Sequence, residues 1–228
     1  MPKSKSSRLI AAVDIETCPL PRRGLSDSLK KRLSKEVGSL KRWEPEKSDE
    51  ALASKARSLT PFLGWICCVS VLCARGRPGD VSRGDPRSWT AGTPEEEGEL
   101  LAALWQTLRG FERRTTWVTF NGKWFDSDYL AARSVRWGIP VPGGEGLLDT
   151  YPYSHRPHAD LALLWDFDYS LDDLCSMLKV ESPKSDFDGS MVAGAVADGE
   201  IGRVARYCEK DVAATLDCFL AARSMIGN

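Results

Sequence analysis

One stretch near the start, Ile10-Ala11-Ala12-Val13-Asp14-Ile15-Glu16-Thr17, limits what this chain can become. Its apolar, partly β-branched run favours a strand over 8–16, and Cys18-Pro19 is placed to end it, because proline cannot donate to a sheet ladder. Strand side chains alternate faces with period two, so Asp14 and Glu16 emerge on one side and Ile15 on the other. Two carboxylates side by side on an apolar strand repel each other and resist desolvation unless a proton or a cation lies between them. Oxygen ligands of this kind suit magnesium or manganese. A strand running out into solvent is the plainer explanation of an isolated D-x-E, so the pair gains meaning only from the rest of the chain.

The next segment is of different character. Residues 19–60 are rich in Pro, Ser, Lys and Arg, with helices expected over 26–40 and 48–58, and read as an insertion packed beside or over the face that carries the acids. Net charge is −1 overall, yet residues 1–60 hold 14 Lys+Arg against 8 Asp+Glu and the remainder 17 against 24. A basic front could meet phosphate while acids elsewhere hold metal; a solvated helical arm accounts for the same charges equally well.

Beyond it the apolar run 62–74 is too β-branched for a helix and reads as a central strand. Residues 76–85 look turn-like and 88–90 a short third strand. Thr93-Pro94-Glu95-Glu96 carries the marks of a helix start, with Thr93 as N-cap, and Gly110 stops that helix. A strand over 115–120, a tight turn at Asn121-Gly122 and a helix over 125–137 come next. A short strand end at 147–150, a helix over 170–178 capped by Ser170, a polar loop over 182–189 and a long final helix over 201–225 complete the series. Strands first, then strands alternating with helices, predict an α/β sheet covered on both faces, in one domain spanning 1–228 with 19–60 as its insertion. The seven cysteines are odd in number and mostly within apolar runs, without a C-x-x-C pair or a secretory leader, which points to a reducing cytoplasm and away from structural zinc. No apolar run approaches the ~20 residues that a membrane span needs.

Two further features bear on chemistry. Asn121-Gly122-Lys123-Trp124-Phe125-Asp126 sets an acid in the first turn after a strand, where the helix dipole favours an ionised Asp126; simple capping would explain it alone. On the last helix Tyr207 and Asp211 are four apart and so share a face, and the Val204/Cys208/Val212/Thr215 stripe turns that side inward. A buried aspartate beside a phenol needs a partner, either a neighbouring backbone donor or a metal.

Taken in order, the Asp14/Glu16, Asn121/Phe125/Asp126 and Tyr207/Asp211 motifs resemble the DEDD superfamily of 3′→5′ exonucleases, in the subclass whose third motif carries a tyrosine. A closer similarity is to stand-alone exonucleases related to the proofreading domain of family B DNA polymerases, through His158-x-Asp160-Leu161, Ser170-Leu171-Asp172-Asp173-Leu174, Lys184, Asp188-Gly189 and Tyr207-Cys208-Glu209-x-Asp211-Val212-x-x-Thr215. The segment 19–60 and the lack of a polymerase region depart from that pattern. The resemblance implies a ribonuclease-H-like three-layer α/β/α fold with a mixed central sheet, and hydrolysis of phosphodiester bonds with two divalent cations, Mg2+ or Mn2+. By family role Asp14 would bridge both ions, Glu16 and Asp211 would complete the nucleophile side, and Asp126 would hold the leaving-group side. Tyr207 would orient the attacking water, since a phenol with pKa near ~10 is a poor base at neutral pH.

The expected substrate is a nucleic acid with a 3′ end, single-stranded DNA before RNA, and the product a nucleoside 5′-monophosphate. Thr17, Asn121, Lys123, Trp124, Phe125 and Lys184 are the candidate substrate contacts. Trp124, Phe125 and Phe120 could stack bases, although Phe120 and Phe125 also suit core packing. Lys123 and Lys184 could meet phosphate. His155 and His158 lack helical spacing and read as structural. A non-catalytic nucleic-acid-binding module of the same fold, or a scaffold built on the insertion, are the alternatives.

Overall fold

Strand β1 (Leu9–Pro19) is the spine of the sheet. In the computed structural model, which describes residues 8–23, 25–77, 80–141, 146–183 and 186–223, it pairs antiparallel with β2 (Gly64–Arg77) along its whole length and parallel with β5 (Thr116–Thr119) over Ile10, Ala11 and Ala12 only. On the far edge of β2 lie β3 (Asp80–Arg83) and β4 (Arg87–Thr90), both antiparallel, and β6 (His158–Asp160) adds a parallel strand beyond β5. The described residues thus form a mixed six-stranded sheet in the order β3-β2-β1-β5-β6, with β4 beside β3 on the edge of β2. The α/β architecture is the ribonuclease-H-like one expected.

The period-two pattern of β1 has its physical counterpart in two cores. Ala11, Val13 and Ile15 belong to one hydrophobic cluster, with Leu101, Leu104, Trp105 and Leu108 of α3 (Glu97–Leu108). Ile10 and Ala12 belong to the other, with Leu174 of α5 (Leu171–Leu178) and Val212 and Leu216 of α7 (Ile201–Ala222). Each large apolar side chain removed from water contributes about 1.5–3 kcal/mol. Between α3 and α4 (Asp126–Arg136) the Arg133 guanidinium donates to the Glu97 carboxylate at 2.6–3.1 Å, and Glu97 also accepts from Ile66 N and Trp137 Nε1. A buried ion pair stands only when its lone pairs are filled in this way.

The insertion is a helical hairpin, α1 (Asp27–Trp43) and α2 (Asp49–Ser58), each begun by a serine, Ser26 or Ser48, whose hydroxyl accepts the amide three residues on. Leu33, Ala53, Ala56 and Leu63 make its own small core. The end of α2 is tied to the sheet: the Ser58 carbonyl accepts from Thr17 Oγ1 at 2.8 Å and Tyr129 Oη at 2.5 Å, and Arg57 Nη1 donates to Leu20 O at 2.5 Å.

Several expected boundaries move. β1 runs through Pro19, whose missing amide is tolerated at the strand's last residue. Residues 80–83, within the turn-like stretch, form β3. Thr93 does not cap α3; the helix begins at Glu97 after a turn in which Glu96 N donates to Thr93 O, because Glu97 is drawn inward to Arg133. Residues 146–148 are a 3-10 turn, and 192–197 form a short helix, α6 (Val192–Ala197). The seven cysteines are free, and among the described residues no helix is long and apolar enough to cross a membrane.

Candidate functional site

The site grows from the middle of β1. Asp14 and Glu16 leave the same side of the strand, and their carboxylates lie with the Cys208 thiol in a group whose candidate ligand atoms are all within 4.8 Å of one another. A register shift between Glu16 and Thr17 breaks the ladder with β2. Such bulges turn side chains away from strict alternation, and here Glu16 and Thr17 both border one cleft.

Asp126 reaches β1 from the other edge. Parallel pairing with β5 ends at Ala12, and where the sheet partner stops, the Ile15 amide donates to the Asp126 carboxylate. Asp126 is the first residue of α4, 3% exposed, and its Oδ1 has no hydrogen-bond partner among the described residues. The loop that delivers it is tightly set. Asn121 adopts φ +63°, and a Cβ on Gly122 would lie 2.4 Å from Thr119 Cβ, so the Asn-Gly turn tolerates no larger second residue. Buried Asp160 of β6 accepts the amides of Asn121 at 2.7 Å and Lys123 at 2.8 Å, holding the loop from below.

Helix α7 packs across β2 and β1 and supplies the third part. Tyr207 and Asp211 stand one turn apart and share a side-chain hydrogen bond, with the phenol donating. The Tyr207 ring rests on Phe187 at 5.2 Å between centroids. Next to Tyr207 in the chain, Cys208 donates from Sγ to Asp14 Oδ2 at 3.3 Å.

The electrostatics reflect this convergence. Burial holds the Asp14 carboxyl well above its usual range, and the charges of Glu16, Asp126 and Asp211 push it further. Glu16 is raised by burial and then by Asp211. Asp126 is pushed up to about 8 by burial and by Asp160, against the pull of the Ile15 amide. Asp211 rises to about 6 through burial, moderated by the Tyr207 hydroxyl. The phenol is raised by burial and by Asp211, so it keeps its proton. Carboxyls raised by burial, those of Asp14, Glu16 and Asp126 further by neighbouring acids and one with an orphaned buried oxygen, suit divalent cations. The thiol adds a softer donor to an otherwise hard oxygen set.

A cleft of about 840 Å³ opens beside Glu16. Its floor is Ile15, Glu16 and Thr17 with Phe125; one wall is α2, and the other is the segment from Asp188 to Gly194. Phe125 is half-buried against Tyr129 at 5.1 Å, and Trp124 is 56% exposed. Thr17 spends its hydroxyl on Ser58 O. Asn121 is exposed at the turn. Lys123 requires a correction. Its side chain is buried and its Nζ donates to the carbonyls of Tyr151 and Ser154, with burial lowering its pKa. It braces the 151–154 loop and does not reach a substrate. Lys184 lies outside the described residues. His158 is buried with one ring nitrogen on Thr119 Oγ1 at 2.8 Å and the other on Asp149 O at 3.2 Å, a structural role.

The sequence names Asp160 and Cys208 only within longer motifs and gives neither a role at the site, whereas α2 lies in the insertion expected beside or over the acidic face. Cys208 carries a signal, its place on the inward stripe beside Asp211, and Asp160 another, as one acid in an apolar H-A-D-L-A-L stretch. A protein-family model described as a predicted 3′-5′ exonuclease related to the exonuclease domain of PolB matches residues 65–228, which takes in Asp126, Tyr207 and Asp211 and begins after β1 and the hairpin. No curated protein matches the chain.

Proposed function

The chain belongs to the family of predicted 3′-5′ exonucleases related to the exonuclease domain of PolB, and from that membership we propose that it shortens single-stranded DNA from the 3′ end, releasing nucleoside 5′-monophosphates. The observation that carries this reading is the gathering of the Asp14 and Glu16 carboxylates with the Cys208 thiol within 4.8 Å, close enough to Asp126 and Asp211 for their charges to raise Asp14, beside an open cleft. Exonuclease domains of this kind use divalent metals. These four acids would hold two such cations, Mg2+ or Mn2+, which when bound supply the positive charge that acidifies water and stabilises a leaving oxygen.

The protein's own groups do the rest. The Tyr207 phenol, held in its protonated form and donating to Asp211, orients the attacking water toward the phosphorus and does not serve as the base. Phe125 at the cleft floor and exposed Trp124 offer ring faces to the terminal bases, an effect of about 1–3 kcal/mol per base. Asn121 and Thr17 border the path of the strand. A tyrosine in the third motif supports reading the chain as one of the DEDD subclass marked by that residue, and the free thiols suit a reducing cytoplasm.

The test is direct. Single strands of DNA and RNA labelled at the 5′ end are incubated with the protein and Mg2+ or Mn2+, with and without EDTA. A ladder shortening from the 3′ end, lost with EDTA and in Asp14→Ala, is the expected result, faster on DNA. Binding without shortening in either metal would overturn the enzyme in favour of a binding module, and preference for RNA would change the substrate.

A further inference from the structure

The hairpin lies outside the stretch that the family model matches, yet its second helix walls the cleft. The face it presents carries small residues at helical spacing, Ser48, Ala51, Ser54 and Ser58, flanked by Lys55 and Leu59. The opposite wall is small too, with Gly189, Ala193 and Gly194. Two walls built so largely of small side chains leave a slot into which a polymer backbone can lie closely. A volume of about 840 Å³ falls in the range of about 300–1,000 Å³ that small-molecule sites occupy, room for a few unpaired nucleotides.

Two ammonium groups stand at this wall, Lys47 and Lys55. Both point to one carboxylate, Glu44 at the end of α1: Lys47 Nζ lies 2.6 Å from Oε2, and Lys55 Nζ pairs with Oε1. The trio carries one net positive charge, and both lysine side chains remain 41% exposed. Across the slot the Asp188 carboxylate is turned to Ser190, accepting from its amide at 2.7 Å and its hydroxyl at 2.6 Å. Glu44 and Asp188 balance the two lysines at rest, and an anionic chain that displaces Glu44 meets both ammonium groups on its way down to Glu16.

We propose that Lys47 and Lys55 grip the sugar-phosphate backbone of a single-stranded 3′ end in this slot, with Glu44 as their placeholder in the free protein. This rests on the exonuclease reading. A phosphodiester oxyanion competes with a carboxylate for ammonium donors, and lysine, a point charge on a flexible stem, exchanges one for the other without rebuilding the wall. The hairpin is then the substrate-holding part of the molecule, fastened to the catalytic strand through Thr17 and Ser58.

The experiment measures a fluorescein-labelled single-stranded deoxyoligonucleotide binding to the full chain by anisotropy in EDTA across a salt series, alongside kcat and KM for trimming in Mg2+. Lys47→Ala with Lys55→Ala should weaken binding at least about tenfold and reduce the slope of log Kd against log salt by about 1.4, the value for two phosphate contacts on a single strand. KM should rise in proportion while kcat changes little. Lys47→Arg with Lys55→Arg should restore most of the affinity, and Glu44→Gln should tighten binding a few-fold. A purely structural trio would make Glu44→Gln worse, not better. An unchanged salt slope in the double alanine variant, in protein that melts like the wild type, overturns the proposal while trimming by the wild type keeps the exonuclease reading intact. Lysine-dependent binding without trimming would do the reverse, and a wild type that binds no single strand would overturn the proposal outright.

Discussion

Cys208 Sγ lies 3.3 Å from Asp14 Oδ2, so the final helix touches the first strand across 194 residues of chain through a thiol. The same sulfur is 3.4 Å from the Asp14 carbonyl oxygen. A soft donor beside two carboxylates gives the centre a liking for thiophilic ions that an all-oxygen site lacks. Zn2+ and Cd2+ are therefore expected to inhibit Mg2+-supported trimming at low concentration. Cys208→Ser should raise the inhibitory concentration about tenfold or more; equal sensitivity of the two proteins would show that the thiol takes no part in holding these ions.

The acid cluster makes metal-free stability fall as pH rises. Asp126 and Asp211 titrate near 8 and 6 in the folded chain, against about 4 when unfolded, so the native state binds more protons and loses stability between roughly pH 4 and 8. His158 acts oppositely at the acid end: burial lowers it to about 4, so the unfolded chain protonates first and stability falls as pH drops below about 6.5. Two carboxyls outweigh one imidazole, so the melting temperature in EDTA should fall throughout the range from about pH 5 to pH 8. Mg2+ should flatten the alkaline side, and Asp126→Asn should raise Tm in EDTA at pH 8 by several degrees, about 2–4 °C per kcal/mol, while abolishing trimming. A Tm in EDTA that stays level from pH 6 to 8 would contradict the raised carboxyls.

Tyr207→Phe isolates the phenol. The ring still packs on Phe187, and only the hydroxyl and its bond to Asp211 are lost. Turnover is expected to drop about 10²-fold, the low end for a group that manages a proton or a water, with the Mg2+ concentration for half-activity changed little. A large loss of metal affinity with turnover preserved would assign the residue to metal binding.

Asp160 is a positioning residue. Its carboxylate collects the amides of Asn121, Lys123 and Ala162, and so pins the motif loop from that side. Asp160→Ala leaves these donors unfilled, at a cost of about 3 kcal/mol, or a fall of roughly 6–12 °C in Tm. Below the new Tm the surviving activity should show a raised Mg2+ requirement, as Asp126 loses its seat. Unchanged metal dependence would limit Asp160 to stability.

Much of the fold and site is legible in the sequence because it depends on periodicity. The alternation in β1 separates Asp14 and Glu16 from Ile15, and the 3.6-residue stripe of α7 turns Tyr207 and Asp211 inward; both patterns are local and survive folding. The hidden parts depend on distant partners. The sequence displays an ammonium at Lys123 in a loop, and only the fold closes the carbonyls of Tyr151 and Ser154 around it. β3 reads as a turn because Gly76, Gly79 and Gly84 flank it, and pairing with Ala74 and Arg75 makes it a strand. The start of α3 misleads for a similar reason, since Glu97 answers to Arg133, 36 residues away.

The unequal footing of the two sides of the cleft has a kinetic meaning. Val13 and Ile15 lie in a strand laddered to β2 and sandwiched between two cores, so their amides should exchange with deuterium only on global unfolding. α2 leans on a handful of small contacts and three hydrogen bonds near its end, so it should exchange through local opening. The molecule can loosen its hold on a strand without disturbing the acids beneath, and release need not wait for the chemistry to come apart.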